Sequence, residues 1–372
     1  MSAAGFSRTA RAVRDRLLGG LSRRIPRRLR TAARWTAAVL ASVLALTLIL
    51  TVGAGWLLTR AGNGPTAPWA RSSGHDAVWL GRIWTRGDYT PAQFRALVHR
   101  ISDSGISDVY VFTGQLDQDG YLDPAAYDHA GPFLAAFRAA LPRVRVSAWL
   151  SGVVAADGEG NRVPKSVPGP ISLDAPASRA RVVASAGAVL RAGFGGVHYD
   201  LEPVTNGDPD FLRLLAATDR LRPAPRPLSV AVPKIEPLPG LRLSWELTGV
   251  GPVYWTPGYL SQVAALVGQV AMMTYDTTMP YASVYSGFVV RETELALRAV
   301  PHRVRLLIGA PCYHYSTFAH RSSAETVGAA VRGVRVALTA TGRRANFGVA
   351  MFADYSSNAA DWRSYRADWL RP

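Results

Sequence analysis

Eight short apolar runs of strand character recur through residues 77–352, with a segment of helical character between most neighbours. That alternation constrains the fold more than any other feature. Strands separated by helices lie parallel, because a parallel neighbour is reached only by a crossover, and a helix is the usual one. The runs predict strands over 77–83, 108–112, 144–150, 197–201, 228–232, 270–274, 304–308 and 347–352. The segments between them predict helices over 91–102, 132–140, 176–192, 210–220, 258–266, 291–300 and 322–340. Several carry start signals: Thr90-Pro91, Ala175-Pro176, and Ser322-Ser323 ahead of Glu325. Eight such units in about 300 residues imply an α/β fold, a (β/α)8 TIM barrel with its active site at the C-terminal ends of the strands.

Ahead of the barrel, residues 35–58 are 24 consecutive positions without a charge. This is enough to cross a bilayer as a helix. Trp35 and Trp56 stand where interfacial aromatics collect. Ten arginines precede the run, which predicts a cytoplasmic N-terminus and an extracytoplasmic C-terminal domain in a single-pass protein of the cell membrane. A cleaved signal peptide is the other reading, but the apolar core is longer and the basic region more extended than a signal peptide needs. The expected division is a basic tail over 1–34, a transmembrane helix over 35–58, a linker over 59–75 and the barrel over 76–372.

The formal net charge is +16, yet 11 of the 42 basic residues fall in the first 60 positions against one acid, Asp15. The remainder is mildly basic and carries no nucleic-acid motif, so a nucleic-acid partner is not expected. The partner expected from this part of the chain is the lipid bilayer, through residues 35–58. Cys312 is the only cysteine. A disulfide framework and a thiolate-rich metal site are excluded, and Cys312 reads as a small buried residue beside a strand.

The C-terminal ends of the predicted strands gather rings and carboxylates. Trp84 follows the first, Trp149 ends the third, and Asp200 and Glu202 end the fourth. Pro233 and Lys234 follow the fifth. Met273, Tyr275 and Asp276 end the sixth, Tyr313 follows the seventh, and Phe352 and Asp354 close the eighth. Any one aromatic fits barrel filling. Their joint concentration at one edge points to sugar, because aromatic faces stack on sugar rings and carboxylates do acid/base work on acetals. The sharpest stretch is 193–203, Gly-Phe-Gly-Gly-Val-His-Tyr-Asp-Leu-Glu-Pro. Alternation along a strand puts His198, Asp200 and Glu202 on one face and Val197, Tyr199 and Leu201 on the other. Two carboxylates that close repel, which raises one pKa toward what a general acid needs.

This stretch resembles the signature strand of glycoside hydrolase family 18, the chitinase-like enzymes, Gly-Phe-Asp-Gly-(Ile/Val)-Asp-x-Asp-x-Glu. Gly193, Phe194, Gly196, Val197, Asp200 and Glu202 match it, while Gly195 and His198 stand where the family has aspartates. Met273-Thr-Tyr-Asp276 resembles the family's Met-x-Tyr-Asp, Leu228-Ser-Val-Ala-Val-Pro233 its fifth strand, and Leu306-Leu-Ile-Gly-Ala-Pro-Cys-Tyr313 its seventh. Phe352 takes the place of a tryptophan usual at the eighth strand. The resemblance implies a retaining, substrate-assisted reaction on an N-acetylglucosamine-containing glycan. It makes Glu202 the acid and base, gives Asp200 and Tyr275 the acetamido group, and makes Asp276 a sugar ligand. Met273, Trp84, Trp149, His198, Tyr313 and Phe352 are the further candidate substrate contacts.

His198 reads either as a hydrogen-bonded core histidine or as a partner that orients Asp200. No cofactor is expected, nor a metal, because no second histidine lies near His198 in sequence and His314 and His320 are only possible visitors to it. Two further function classes stay open. One is a barrel that binds glycans without cleaving them. The other is a two-carboxylate glycosidase in which Glu202 works with Asp276 or Asp354.

Overall fold

The computed structural model describes residues 27–155, 169–221, 228–237 and 254–372. The expected basic tail falls mostly outside the described residues, as do positions 156–168 of the loop after the third strand. The chain divides into two compact units, Met1–Trp56 and Leu57–Pro372.

The first unit is built on helix α1, Arg27–Gly62, which runs on into the second. Its stretch Trp35–Gly62 is long and apolar enough to cross a membrane, and its most apolar 18-residue window is not buried in protein. At 1.5 Å per residue those 28 residues reach about 42 Å, against a hydrocarbon core of about 30 Å. The hydroxyls of Thr47 and Thr51 donate to the carbonyls of Val43 and Thr47, each at 2.8 Å, so neither faces an apolar surround unpaired.

The second unit is the expected barrel. Its strands are β1 (Asp76–Leu80), β2 (Ile106–Gln115), β3 (Arg145–Val153), β4 (Gly196–Glu202), β5 (Leu228–Val232), β6 (Gln269–Met272), β7 (Arg305–Pro311) and β8 (Phe347–Phe352). Each is parallel to its sequence neighbours, and β8 closes on β1. The flanking helices are α2 (Ile83–Arg86), α3 (Pro91–Ile101), α4 (Ala130–Ala140), α5 (Pro176–Arg191), α6 (Pro209–Asp219), α7 (Pro257–Ala265), α8 (Ala282–Ala299), α9 (Val327–Thr341) and α10 (Ala359–Ser364). Local chemistry sets several starts. Thr90 and Gln93 form a capping box ahead of Pro91, and the Asp208 carboxylate accepts the amides of Asp210 and Phe211.

The core has two shells. Between sheet and helices lies a continuous apolar layer that includes Val197, Tyr199 and Leu201 of β4. Inside the barrel a smaller cluster of Trp79, Tyr110, Trp149, Leu307 and small alanines is backed by Phe112 and Phe352. Asp108 lies at the opposite end of the strands from the rim, where it pairs with Arg145 at 3.1 Å and closely with Arg305.

Residues 59–75, expected as a linker, are held by α8 and α9 along much of their length. Ala61 packs on Val290, Val336 and Ala337. Arg332 donates to the Gly62 carbonyl at 2.8 Å, Thr339 accepts the Ala67 amide at 2.8 Å, and Arg335 donates to the Ala70 carbonyl at 2.9 Å. At Gly287 of α8 the backbones meet: an added Cβ would lie 1.8 Å from the Leu58 carbonyl oxygen. Cys312 is buried, as expected.

Candidate active site

Strand β4 carries the site because its alternation is strict. His198, Asp200 and Glu202 face the barrel axis and rise in that order from the floor to the mouth: fully buried, half-buried and exposed.

His198 is the floor. The Trp79 indole donates to its Nε2 at 3.0 Å, and Nδ1 meets the Ser229 hydroxyl at 2.8 Å across the β4–β5 register. An indole can only donate, so Nε2 must be unprotonated and the proton sits on Nδ1. Tyr110 stacks on the ring at 3.8 Å, and burial pushes its pKa down to about 3. The imidazole is therefore neutral. The expectation that His198 contacts substrate or orients Asp200 is corrected: both nitrogens are engaged elsewhere and no part of it reaches the mouth.

Asp200 stands one step higher. Trp149, paired with His198 across β3 and β4, donates its indole to Asp200 Oδ2 at 2.8 Å. The other oxygen, Oδ1, is buried with no hydrogen-bond partner. Burial raises the carboxyl's pKa, and the Trp149 hydrogen bond opposes the rise. Glu202 ends the strand where solvent reaches it, inside a concave ring of protein. Burial, and then the negative charge of Asp200, raise its pKa strongly. Lys234 pulls it back and Asp276 adds to it. Water at the open side screens part of this without changing its sign.

Two strands on from β4 stands the end of β6. Tyr275 is buried, its ring stacked on Phe352 at 5.4 Å with 20° between planes. Burial and the charges of Asp200, Glu202 and Asp276 hold its phenol protonated far into alkali. Met273 and Tyr313 pack in the same cluster with Phe352. The Tyr313 hydroxyl donates to Asp276 Oδ1 at 2.6 Å. Phe352 is the hub, in edge contact with Trp79, Trp149 and Tyr313 as well. Trp149 and Phe112 line a rim cavity of about 350 Å³ with Gly81, Arg82, Ile83 and Tyr355.

Two expectations fail here. Trp84 does not face the mouth. It is buried in the outer layer against Tyr89 and Phe133, and its indole donates to Asp354 Oδ2 at 2.9 Å. Asp354 is occupied on both oxygens, since the Gly81 amide donates to Oδ1 at 2.8 Å, so it clasps β1 to β8 rather than offering a second catalytic carboxylate.

Lys234 carries more than its sequence suggested. Its ammonium is buried, donates to the Tyr275 carbonyl at 3.0 Å, and is drawn toward Asp276, Glu202, Glu292 and Glu325. The available signal was composition: it is one of two lysines in a chain whose other basic residues are all arginine, and it sits directly after β5.

The class that the structure defines is the closed, eight-stranded parallel (β/α)8 barrel. No family model matches the chain, and no curated protein matches it. Among solved structures it is similar to the spore cortex-lytic enzyme SleL of Bacillus megaterium QM B1551, at 13% identity and TM-score 0.54 over 80% of this chain and 75% of that one. It is similar also to a class V chitinase from Pseudomonas fluorescens Pf-5, at 14% identity and TM-score 0.51 over 79% and 98%. A putative chitinase A from Streptomyces coelicolor matches at 15% identity and TM-score 0.50 over 80% and 97%. At such identities the likeness establishes the fold: a divergent sequence on the barrel of chitinase-like proteins.

Proposed function

We propose that the protein is a membrane-anchored glycoside hydrolase that acts outside the cytoplasm on an N-acetylglucosamine-containing glycan, with retention and substrate assistance. The observation that carries the reading is Asp200: one oxygen fixed by Trp149, the other buried, unpartnered and pointing to the same face as Glu202. A buried carboxylate oxygen needs a donor, and the N–H of a 2-acetamido group is one. Held there, the acetamido oxygen attacks the anomeric carbon and forms an oxazolinium ion. The raised pKa of Glu202 keeps its proton available for the departing glycosidic oxygen. The Tyr275 hydroxyl donates to the acetamido oxygen. Glu202, now a carboxylate, takes a proton from the water that opens the ring, and the product keeps its configuration. Asp276 and the faces of Trp149 and Phe352 hold the sugar.

The neighbours named as chitinases and as a cortex-lytic enzyme support a glycan substrate. Ten arginines ahead of Trp35 support an N-terminus that stays cytoplasmic, with residues 1–34 inside, 35–58 in the bilayer and 76–372 outside.

Glu202→Gln is expected to lower release from a fluorogenic N-acetylglucosaminide by about 10²–10⁴ while glycan pull-down persists. Unchanged turnover removes Glu202 from the acid role. Glycan capture by a wild type that turns nothing over selects the non-catalytic binding barrel instead.

A further inference from the structure

Beneath Asp276 two fully buried groups converge on it from the segment between β7 and α9. His320 Nδ1 lies 3.3 Å from Glu325 Oε2 and 3.6 Å from Asp276 Oδ1. His320 and Glu325 are 0% and 1% exposed. Neither ring nitrogen of His320, nor Glu325 Oε2, makes a hydrogen bond. The three donor atoms lie within 4.8 Å of one another.

The surroundings hold these donors in place. Glu325 Oε1 accepts the amide and the hydroxyl of Thr277, both at 3.1 Å, which aims Oε2 at the histidine. Tyr313 donates to Asp276 Oδ1 and packs its ring on the imidazole at 4.1 Å. Buried polar atoms without partners are costly, and here a buried imidazole and a buried carboxylate meet the exposed carboxylate of Asp276. Lys234 is the nearest ammonium, but Glu202 and Glu292 draw on it too.

The spacing itself is informative. Four ligands around one ion at bonds of about 2.0–2.2 Å stand about 3.3–3.6 Å apart at tetrahedral angles. The His320–Glu325 and His320–Asp276 separations match that edge. We propose that Asp276, His320 and Glu325 form a three-ligand site for a divalent transition-metal ion, with zinc the best fit to one imidazole and two carboxylates. A fourth position remains for water. Bound there, the ion neutralises Asp276 and Glu325 and ties the segment after β6 to the one before α9. This reverses the sequence-based expectation of no metal, and it does not depend on the glycosidase reading.

The test uses the full-length protein in detergent, without a histidine tag, stripped with chelator and titrated with zinc chloride by calorimetry at neutral pH. Wild type and the exposed-surface control His129→Gln are expected to bind one equivalent. His320→Gln and Glu325→Gln are expected to lose that step, weakening it at least 100-fold, with circular dichroism checked for each. Should either variant fail to fold, cobalt(II) added to the wild type decides, with the intense visible bands of a four-coordinate ion expected. Absence of saturable zinc binding, binding retained in both site variants, or a cobalt spectrum of the six-coordinate aqua ion would each overturn the proposal. In that case His320 packs against the two carboxylates with no ion between them.

Discussion

Lys234 is the one lysine among the described residues, and its influence on Glu202 is testable. A positive charge favours the carboxylate, so the ammonium holds the Glu202 pKa below where burial and Asp200 would set it. In the proposed role of acid Glu202 must be protonated, so kcat/KM is expected to fall as pH rises through its pKa. Lys234→Met is therefore expected to move the alkaline limb of the pH profile upward by about one unit. A limb that stays in place or moves down would show that the ammonium serves only the Tyr275 carbonyl. At this scale the sequence was legible where chemistry repeats along one strand: alternation alone put Asp200 and Glu202 on one inward face. It was illegible where partners come from different strands. Nothing in the spacing of His198 announces that Trp79 and Ser229 hold its nitrogens. Trp84 sits one turn past β1, where a helix rotates it outward against Phe133. Asp276, His320 and Glu325 meet only because the segment between β7 and α9 folds back.

Among the elements, the eight strands were readable because buried parallel strands are continuous apolar runs bounded by turns. Their ends were not, and β2 and β3 continue past the predicted limits because ladder pairing carries them to Gln115 and Val153. Helix α8 begins at Ala282, well before the predicted 291. Its first half, with Ser286, Gly287 and the pair Val289-Val290, has poor helical propensity. That half is almost entirely buried, and packing overrides propensity there. The glycine has a use: Leu58 approaches so closely that a methyl group at position 287 would overlap its carbonyl. Gly287→Ala is expected to lower stability by about 2 kcal/mol through overpacking. Gly258→Ala, where an added Cβ meets nothing within 4 Å, is expected to be neutral. Equal melting temperatures in detergent for the two variants would contradict the backbone contact.

For the whole molecule, composition pointed to two regimes, an arginine-rich apolar N-terminus and a mildly charged remainder, and the two compact units fall close to that division. The proposed anchoring carries its own test. Membranes from cells expressing the full chain are expected to retain it after alkaline carbonate washing, and external protease is expected to reach the C-terminal barrel of intact cells. Release by carbonate, or a barrel protected from external protease, would contradict the proposed topology. The neutral ring of His198 has a wider consequence. With each nitrogen committed to one neighbour and the proton fixed on Nδ1, the interior below Asp200 is a dead end for proton relay. A hydrogen ion consumed or released at the rim does not pass inward through this ring. On the floor side the proposed reaction at the mouth therefore has no proton path through His198, and water at the open end is its direct exchange with the medium.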